Sequence, residues 1–418
     1  MHKKLTIGLF GFGVVGEGIY KVICQTPSLN ASIKKICIKH PDKKRDADPS
    51  LFTTSYDELL NDPEINIIVE LIDDAHEAYT IVTTALKNGK AAVSANKKMI
   101  ATHFKDLLHL QQQTGSPFLY EAAVCGSIPI IRNLEEYYDN DLLRGICGIV
   151  NGSTNFILTR MNEDGSSYES ALALAQVNGF AETDPTLDVE GYDAANKLTL
   201  LLAHAYGITT NPAGLLFKGI TQLDTSDTQY ANEKDFIIKL TAQALKLPND
   251  KVAAFVLPQF ITRDSQLFSV KNEYNGVIIE SGLADKQFLY GKGAGRYPTS
   301  SAVISDISAL AYDYRYEYKK LQRSEKAELS DNYFLKVYIS FNSWADINKW
   351  DFENIEEFHS TEKRQYLKGL IHVEKLHRAE WFVNKDVSII VLPDGIVDEQ
   401  EMLVKKVKKV SLQISGLR

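Results

Sequence analysis

Residues 5–23 read LTIGLFGFGVVGEGIYKVI. The apolar run 5–10 reads as a strand, and 14–23 as a helix. Between them Gly11, Gly13 and Gly16 keep the spacing GxGxxG. The three glycines then serve different ends. The first permits the tight turn, the second lets the backbone approach a pyrophosphate, and the third lets helix and strand pack closely. The helix N-terminus adds oriented N–H donors for an anion. Gly11, Phe12, Gly13, Val14, Val15 and Gly16 are therefore candidate cofactor contacts. A glycine-rich turn without a ligand would explain the glycines alone, but a second strand follows at 33–38, and that context favours dinucleotide binding.

Residues 24–130 continue the alternation. Strands are expected at 33–38, 67–71, 91–94 and 118–122, and helices at 56–61, 75–88 and 102–114. This pattern predicts an α/β fold that begins with a Rossmann-type doubly wound parallel sheet, a dinucleotide-binding domain over residues 1–135. Further on, a strand at 145–150, helices at 168–178 and 192–206 and several strands within 256–290 predict an α+β catalytic and dimerisation domain over 136–325. The charged stretch 312–329 reads as helical, and a helix near 300–325 is expected to pack back on the first domain. Strand-like runs at 334–341, 366–373 and 387–392 predict a small C-terminal α+β domain over 330–418.

The chain has 418 residues, 44% hydrophobic and 24% charged, which fits two or three folded domains. A formal net charge of -8 argues against nucleic acid or an anionic membrane as the main partner. Small molecules and copies of the chain itself fit better. The apolar stretch after Lys4 is broken by Gly8, Gly11, Gly13 and Gly16 and reads as strand and turn, not as a signal peptide. No run approaches the roughly 20 apolar residues that span a bilayer. Cys24, Cys37, Cys125 and Cys147 have neither paired nor metal-ligand spacing, as expected of buried free thiols in a reducing cytoplasm.

Cofactor choice is read at the end of the second strand, where the sequence continues KHPDKKR over 39–45. Lys39 and His40 stand where an acidic residue would accept from a ribose 2′-OH, and Lys43, Lys44 and Arg45 follow with only Asp42 opposing them. The balance predicts NADP(H) over NAD(H). A solvated basic loop, or use of both cofactors, is the alternative.

The stretch GFAETDPTLDVEGYDAANKLTLLLAHAY, from Gly179, carries Glu182, Asp184, Asp188, Glu190 and Asp193 before its only lysine, Lys197. On a helix over 192–206, Asp193 and Lys197 share a face next to an apolar stripe of Ala194, Leu198, Leu201 and Ala205. An ammonium there needs a carboxylate partner. An exposed ion pair at that spacing is the plain alternative, but the carboxylates upstream lie in a loop suited to placing side chains at a site. Carboxylates can hold a substrate amino group, and a lysine can protonate the alkoxide formed when hydride reaches a carbonyl.

With these residues and five further segments, the chain resembles homoserine dehydrogenase: GLFGFGVVGEG (8–18), VSANKKMIA (93–101), YEAAVCGSIPII (120–131), GIVNGSTNFIL (148–158) and YGKGAGRYPTSSAVISDI (290–307) fall in the family's order. The resemblance implies reversible reduction of L-aspartate 4-semialdehyde to L-homoserine, toward threonine and methionine, by a cytoplasmic homodimer joined through the sheet of its second domain. It implies Lys197 as proton donor, Asp193 as its companion and Lys97 between cofactor and substrate. Glu182, Asp188, Asn151 and Thr154 would line the substrate pocket, although a capping turn explains NGST equally well. Lys39, Ile72, Ser94, Lys97 and Gly295 join the cofactor contacts. Main-chain carbonyls of Glu121, Val124, Gly126 and Ile128 would hold Na+.

Two features depart from the family. Asp73 and Asp74 replace a pair of glycines near the ribose, where carboxylates repel phosphate unless turned away or satisfied. In the C-terminal domain, similar to an amino-acid-binding ACT-like βαββαβ module, NSWADINKW (342–350) replaces the expected DxPG turn. A degenerate module without threonine inhibition is expected. A regulator that kept the fold without activity and a dehydrogenase for another amino-acid-like substrate are the competing readings.

Overall fold

The computed structural model describes residues 4–399, apart from 141, 249 and 361–363, together with residue 402. In chain order the first elements are β1 (Leu5–Phe10), α1 (Val14–Gln25), β2 (Ala31–Cys37), β3 (Phe52–Thr53), α2 (Asp57–Leu60), β4 (Ile67–Glu70), α3 (Ala75–Lys87), β5 (Ala91–Ser94), α4 (Lys97–Thr114), β6 (Phe118–Leu119) and α5 (Ile130–Arg132). Then come β7 (Leu143–Ile149), α6 (Gly152–Asp164), α7 (Tyr168–Val177), α8 (Thr186–Val189), α9 (Tyr192–Tyr206), β8 (Leu216–Phe217), α10 (Thr225–Glu233), β9 (Phe236–Lys246), β10 (Val252–Thr262), β11 (Tyr274–Ser281), β12 (Asp285–Lys292) and α11 (Arg296–Leu310). The chain continues with β13 (Tyr333–Phe341), β14 (Phe352–Ser360), β15 (Gln365–His372), α12 (Val373–Arg378) and β16 (Ser388–Asp398). They form two compact units: one runs to Leu142 and includes Asn196–Gly214 and Leu289–Lys326, and the other takes Leu143–Ala195, Leu215–Phe288 and the chain from Ala327.

The first unit holds a parallel sheet of order β3-β2-β1-β4-β5-β6. Leu5, Ile7 and Leu9 are fully buried, as a central strand covered on both faces requires. The doubly wound expectation is borne out. Helix α11 lies against α1: a Cβ on Gly18 would stand 2.5 Å from Ser300 Oγ, which donates to Val15 O at 3.2 Å. The stretch 312–329 is not an α-helix; it is irregular apart from a short 3-10 turn at Lys319–Gln322. Its tyrosines explain the difference. Tyr316 and Tyr318, two apart, are both buried, and their rings lie 5.1 and 5.5 Å from His204. His204 in turn meets Glu135 at 2.6 Å and Tyr120 Oη at 2.8 Å. The four cysteines form no disulfide, and Cys24 is exposed, not buried as expected.

The second unit is built on a sheet of order β12-β11-β7-β9-β10-β16-β13-β15-β14, with β8 on β10. The C-terminal strands extend this sheet, because β16 pairs with β10 at Gln259 and Val391. Their own order, β16-β13-β15-β14, has antiparallel neighbours throughout, the topology of a split βαββαβ module. One helix is present, α12. Where the other belongs, 3-10 turns occupy Trp344–Asp346 and Lys349–Asp351. The side chains of Ser343 and Asn348 accept from the N–H groups of Ala345 and Trp350, and the Asp346 carboxylate accepts from those of Asn342 and Ser343. Backbone demand is thus met locally and no longer helix propagates. The degenerate α+β module is as expected; 361–363, 400, 401 and 403–418 of the expected 330–418 domain lie outside the described residues.

Helix α10 is tied to these strands by one buried carboxylate. Asp227 accepts from Ser340 Oγ at 2.5 Å and Ser388 Oγ at 2.8 Å, while Arg364 bonds to both serines and pairs with Asp224 at 2.9 Å. Removing the cation strands a fully buried acid. Arg364→Met is therefore expected to lower stability by about 3 kcal/mol in urea unfolding, and a change below about 0.5 kcal/mol would contradict this account.

Candidate active site

At the C-terminal edge of the parallel sheet a cleft of about 430 Å³ is lined by Gly11, Phe12, Gly13, Lys39, Ile72, Asp73 and Asp74 among others. The three glycines of the β1–α1 turn differ as their spacing predicts. Gly11 has φ +92, and a Cβ there would stand 2.8 Å from Leu71 O. A Cβ on Gly13 would meet nothing within 4 Å, so this is the open side. One on Gly16 would collide with the carbonyl of Gly11. Gly13 begins α1 without a side-chain cap, leaving first-turn N–H groups for a ligand anion, and Val14 is 59% exposed there. Gly295, φ +115, likewise starts α11 without a side-chain cap, and Arg296 beside it pairs with Glu17 of α1 at 3.2 Å. Lys39, His40, Lys43 and Arg45 all line the cleft, and Arg45 lies over the Phe52 ring at 5.6 Å.

The ends of β4 and β5 carry a residue that sequence reasoning missed. Glu70 is fully buried, with one carboxyl oxygen accepting from Ser94 Oγ at 2.5 Å and the other from Ile72 N at 2.6 Å. Burial pushes its pKa up to about 7. It thereby fixes Ser94 and Ile72, two of the expected cofactor contacts. The available signal was an acid closing the otherwise apolar strand IIVE. Helix α4 begins at Lys97, earlier than expected, because Asn96 caps it through Met99 N at 2.9 Å. The Asn96 amide also reaches Ile72 O at 3.1 Å, tying the two loops together.

In the second unit the end of β7 and the start of α6 bring substrate candidates together. Asn151 Oδ1 caps α6 by accepting from Thr154 N at 2.8 Å and from Thr154 Oγ1 at 3.0 Å. Its Nδ2 donates to Asp188 at 2.7 Å and to Asp193 at 2.8 Å. The capping reading of NGST thus holds for Asn151, whose amide nitrogen at the same time meets two carboxylates. Asp193 is 3% exposed; Lys197, one turn further along α9 and in the stretch that belongs to the first unit, is 7% exposed. Glu182 is not part of the cluster: it is exposed, and its main-chain carbonyl accepts from Gln176 Nε2 at 3.0 Å.

In the loop 121–128 the buried Glu121 carboxylate accepts from the N–H groups of Ile131 and Arg132 at 2.8 and 2.9 Å. The carbonyls of Glu121 and Ile128 each accept one backbone N–H, from Val124 at 3.3 Å and Ile130 at 2.9 Å, so each keeps a second lone pair. Gly126, φ +52, is pressed against Gly293, where a Cβ would stand 2.5 Å from the carbonyl oxygen. Among the described residues no three His, Cys, Asp or Glu side chains group as a metal site, and no helix is long and apolar enough to cross a membrane.

A doubly wound sheet with a glycine-shaped, uncapped helix start, and a second unit presenting clustered carboxylates, define a dinucleotide-binding oxidoreductase. Residues 11–121 match the NAD-binding domain of homoserine dehydrogenase, and 129–308 match homoserine dehydrogenase. The chain is 32% identical over 356 residues to the homoserine dehydrogenase of Bacillus subtilis, across 81% of this chain and 82% of that one. Among solved structures, a homoserine dehydrogenase from Thiobacillus denitrificans superposes with a TM-score of 0.82 at 29% identity, over 94% of this chain and 98% of that one. A hyperthermophilic archaeal homoserine dehydrogenase in complex with NADPH does so with a TM-score of 0.64 at 25% identity, over 75% and 99%. The chain belongs to the homoserine dehydrogenase family.

Glu70 makes the first unit pH-sensitive in a direction that can be worked out. Its pKa rises on folding from 4.5 to about 7, so between these values the folded chain holds more protons than the unfolded one. Stability then falls as pH rises through that window. Glu70→Gln is expected to flatten this part of the profile, read as the melting temperature from pH 5 to pH 8; an unchanged slope would rule Glu70 out as its source.

Proposed function

We propose that the chain catalyses the reversible reduction of L-aspartate 4-semialdehyde to L-homoserine with NADPH, a step toward threonine and methionine, in the cytoplasm. The observation that carries this reading is the Asn151 amide bonded to Asp188 and Asp193, with the buried Lys197 one turn beyond on α9. Bound NADPH supplies the hydride to the aldehyde carbon. Lys197 gives a proton to the resulting alkoxide oxygen and takes it back in the reverse direction. Asp193 orients Lys197 and substrate, Glu182 holds the substrate ammonium, and Asp188, Asn151 and Thr154 complete the pocket. Lys97, at the start of α4, stands between cofactor and substrate, and Gly295 closes over the nicotinamide.

Preference for NADP(H) rests on Lys39, Lys43 and Arg45 around the cleft, with NAD(H) as the weaker cofactor. The carbonyls of Glu121, Val124, Gly126 and Ile128 hold Na+, for which neutral oxygen donors suffice. The enzyme works as a homodimer joined through the sheet of the 136–325 domain, and the 330–418 domain confers no threonine inhibition.

The deciding assay follows NADPH and NADH oxidation at equal concentration with aspartate semialdehyde. NADPH is expected to turn over faster; absence of turnover with either would overturn the enzyme reading, and faster NADH turnover only the preference. Lys197→Ala is expected to lower turnover at least about a hundredfold while NADPH still binds. Threonine is expected to leave the rate unchanged, and replacing sodium by tetramethylammonium to lower the melting temperature.

A further inference from the structure

The carboxylate segment that Asn151 grips has little stability of its own. Helix α8 is four residues long, too short to persist unaided, and it is followed by Gly191 at φ +87. Asn151 holds the segment from one side. On the other side lies the stretch after β8. Gly219 is pressed so closely on Val189 and Glu190 that a Cβ there would collide with the Val189 carbonyl. Ile220 N donates to Val189 O at 2.8 Å, and Thr221 Oγ1 to Glu190 at 3.1 Å.

What holds this stretch in turn is Lys218. Its ammonium donates to three main-chain carbonyls of one loop, Phe382 at 2.7 Å, Val387 at 2.8 Å and Asn384 at 3.1 Å, and it lies 5.5 Å from the Phe382 ring centre. An ammonium has three N–H donors, and all three are engaged. The loop joins α12 to β16, so it belongs to the C-terminal module. Burial pushes the Lys218 pKa down to about 8, opposed by Glu190, which marks the site as desolvated. A contiguous chain of contacts thus runs from the module through Lys218 and Gly219 to Val189 and Glu190, next to Asp188.

We infer that Lys218 is a positioning residue for substrate binding, through which the C-terminal module braces the segment bearing Asp188. The substrate part of this inference rests on the function proposed above; the brace itself does not. The module's role is then to hold the Asp188 carboxylate in place.

Two readouts separate the parts. Hydrogen exchange measured by mass spectrometry, without substrate, is expected to quicken at least about fivefold across 186–193 in Lys218→Met, with residues 11–25 unchanged. Unchanged exchange in 186–193, or equal quickening in both regions, would overturn the brace. In steady-state kinetics the same variant is expected to raise KM for aspartate semialdehyde about tenfold, with kcat altered less than about twofold and NADPH affinity retained. A fall in kcat at constant KM would overturn the positioning role. Thr221→Val, at the far end of the path, is expected to shift exchange and KM in the same direction, and its effect should add less than fully to that of Lys218→Met; full additivity would show that the two do not share a path. If Lys218→Met does not accumulate as folded protein, Lys218→Arg and Thr221→Val carry the same test. If wild type turns over no semialdehyde, the proposed function fails, and the exchange result still decides the brace.

Discussion

Asn151 uses both halves of its carboxamide at once. The oxygen closes the first turn of α6, and the nitrogen donates one hydrogen to each of two carboxylates. A side chain so committed has one orientation, and the carboxylates inherit it. The arrangement is only as well placed as α6, and α6 is fastened one turn further on. Asn155 donates its two amide hydrogens to the carbonyls of Asn272 and Tyr274, both at 2.9 Å, and accepts from the buried Lys239 at 2.7 Å. Lys239 sits mid-strand in β9, where burial pushes its pKa down to about 7, and a second bond to Val270 O at 2.7 Å offsets that loss of hydration. Sheet, lysine, helix and cap form one line of support for two acids.

The C-terminal module enters the same logic through strand pairing. Because β16 joins β10, the module continues the sheet, and its core residues Leu335, Val337 and Ile389 cluster with Phe255 and Leu257 of β10. A module sharing a core with the strands of the second unit cannot shift freely against them, since close-packed interiors have few alternative arrangements. Loss of one helix from the βαββαβ pattern is compatible with that role: β16, the strand of the module that meets β10, is intact, and the 3-10 turns lie where β13 runs on toward β14, the edge strand.

The parallel sheet was legible in the sequence because continuous apolar runs, glycine spacing and helical periodicity all agreed. Strands β9 and β14 were not. β9 carries Lys239 and Gln243 within IIKLTAQALK, and β14 is an edge rich in glutamates, so neither shows a clean period of two. The 312–329 stretch misled for a related reason: its charged residues read as helical, whereas Tyr316 and Tyr318 are buried beside His204, distant in sequence. Around the proposed site, Asn151 bonds to Asp188, Asp193 and Thr154, contacts that their separation in sequence does not reveal. Glu70, Lys218 and Lys239 were missed because a lone charge in an apolar strand or loop gains meaning only when its partners are known.

The two aspartates at 73 and 74 line the cleft, and each carboxylate is accommodated in its own way. Asp74 caps α3, accepting from Glu77 N at 2.8 Å, and this bond holds its pKa below the ordinary value. Its charge therefore faces the positive end of a helix, and Lys39 adds to the same stabilisation. Asp73 is exposed, so water and salt screen it over about 8 Å. Four basic or titratable groups, Lys39, His40, Lys43 and Arg45, line the cleft against three acids, Asp73, Asp74 and Glu77. One of those acids is committed to its cap and another is screened. The basic loop of Lys39, His40, Lys43 and Arg45 lines the same cleft as these acids, and it is on that loop that the proposed NADP(H) preference rests.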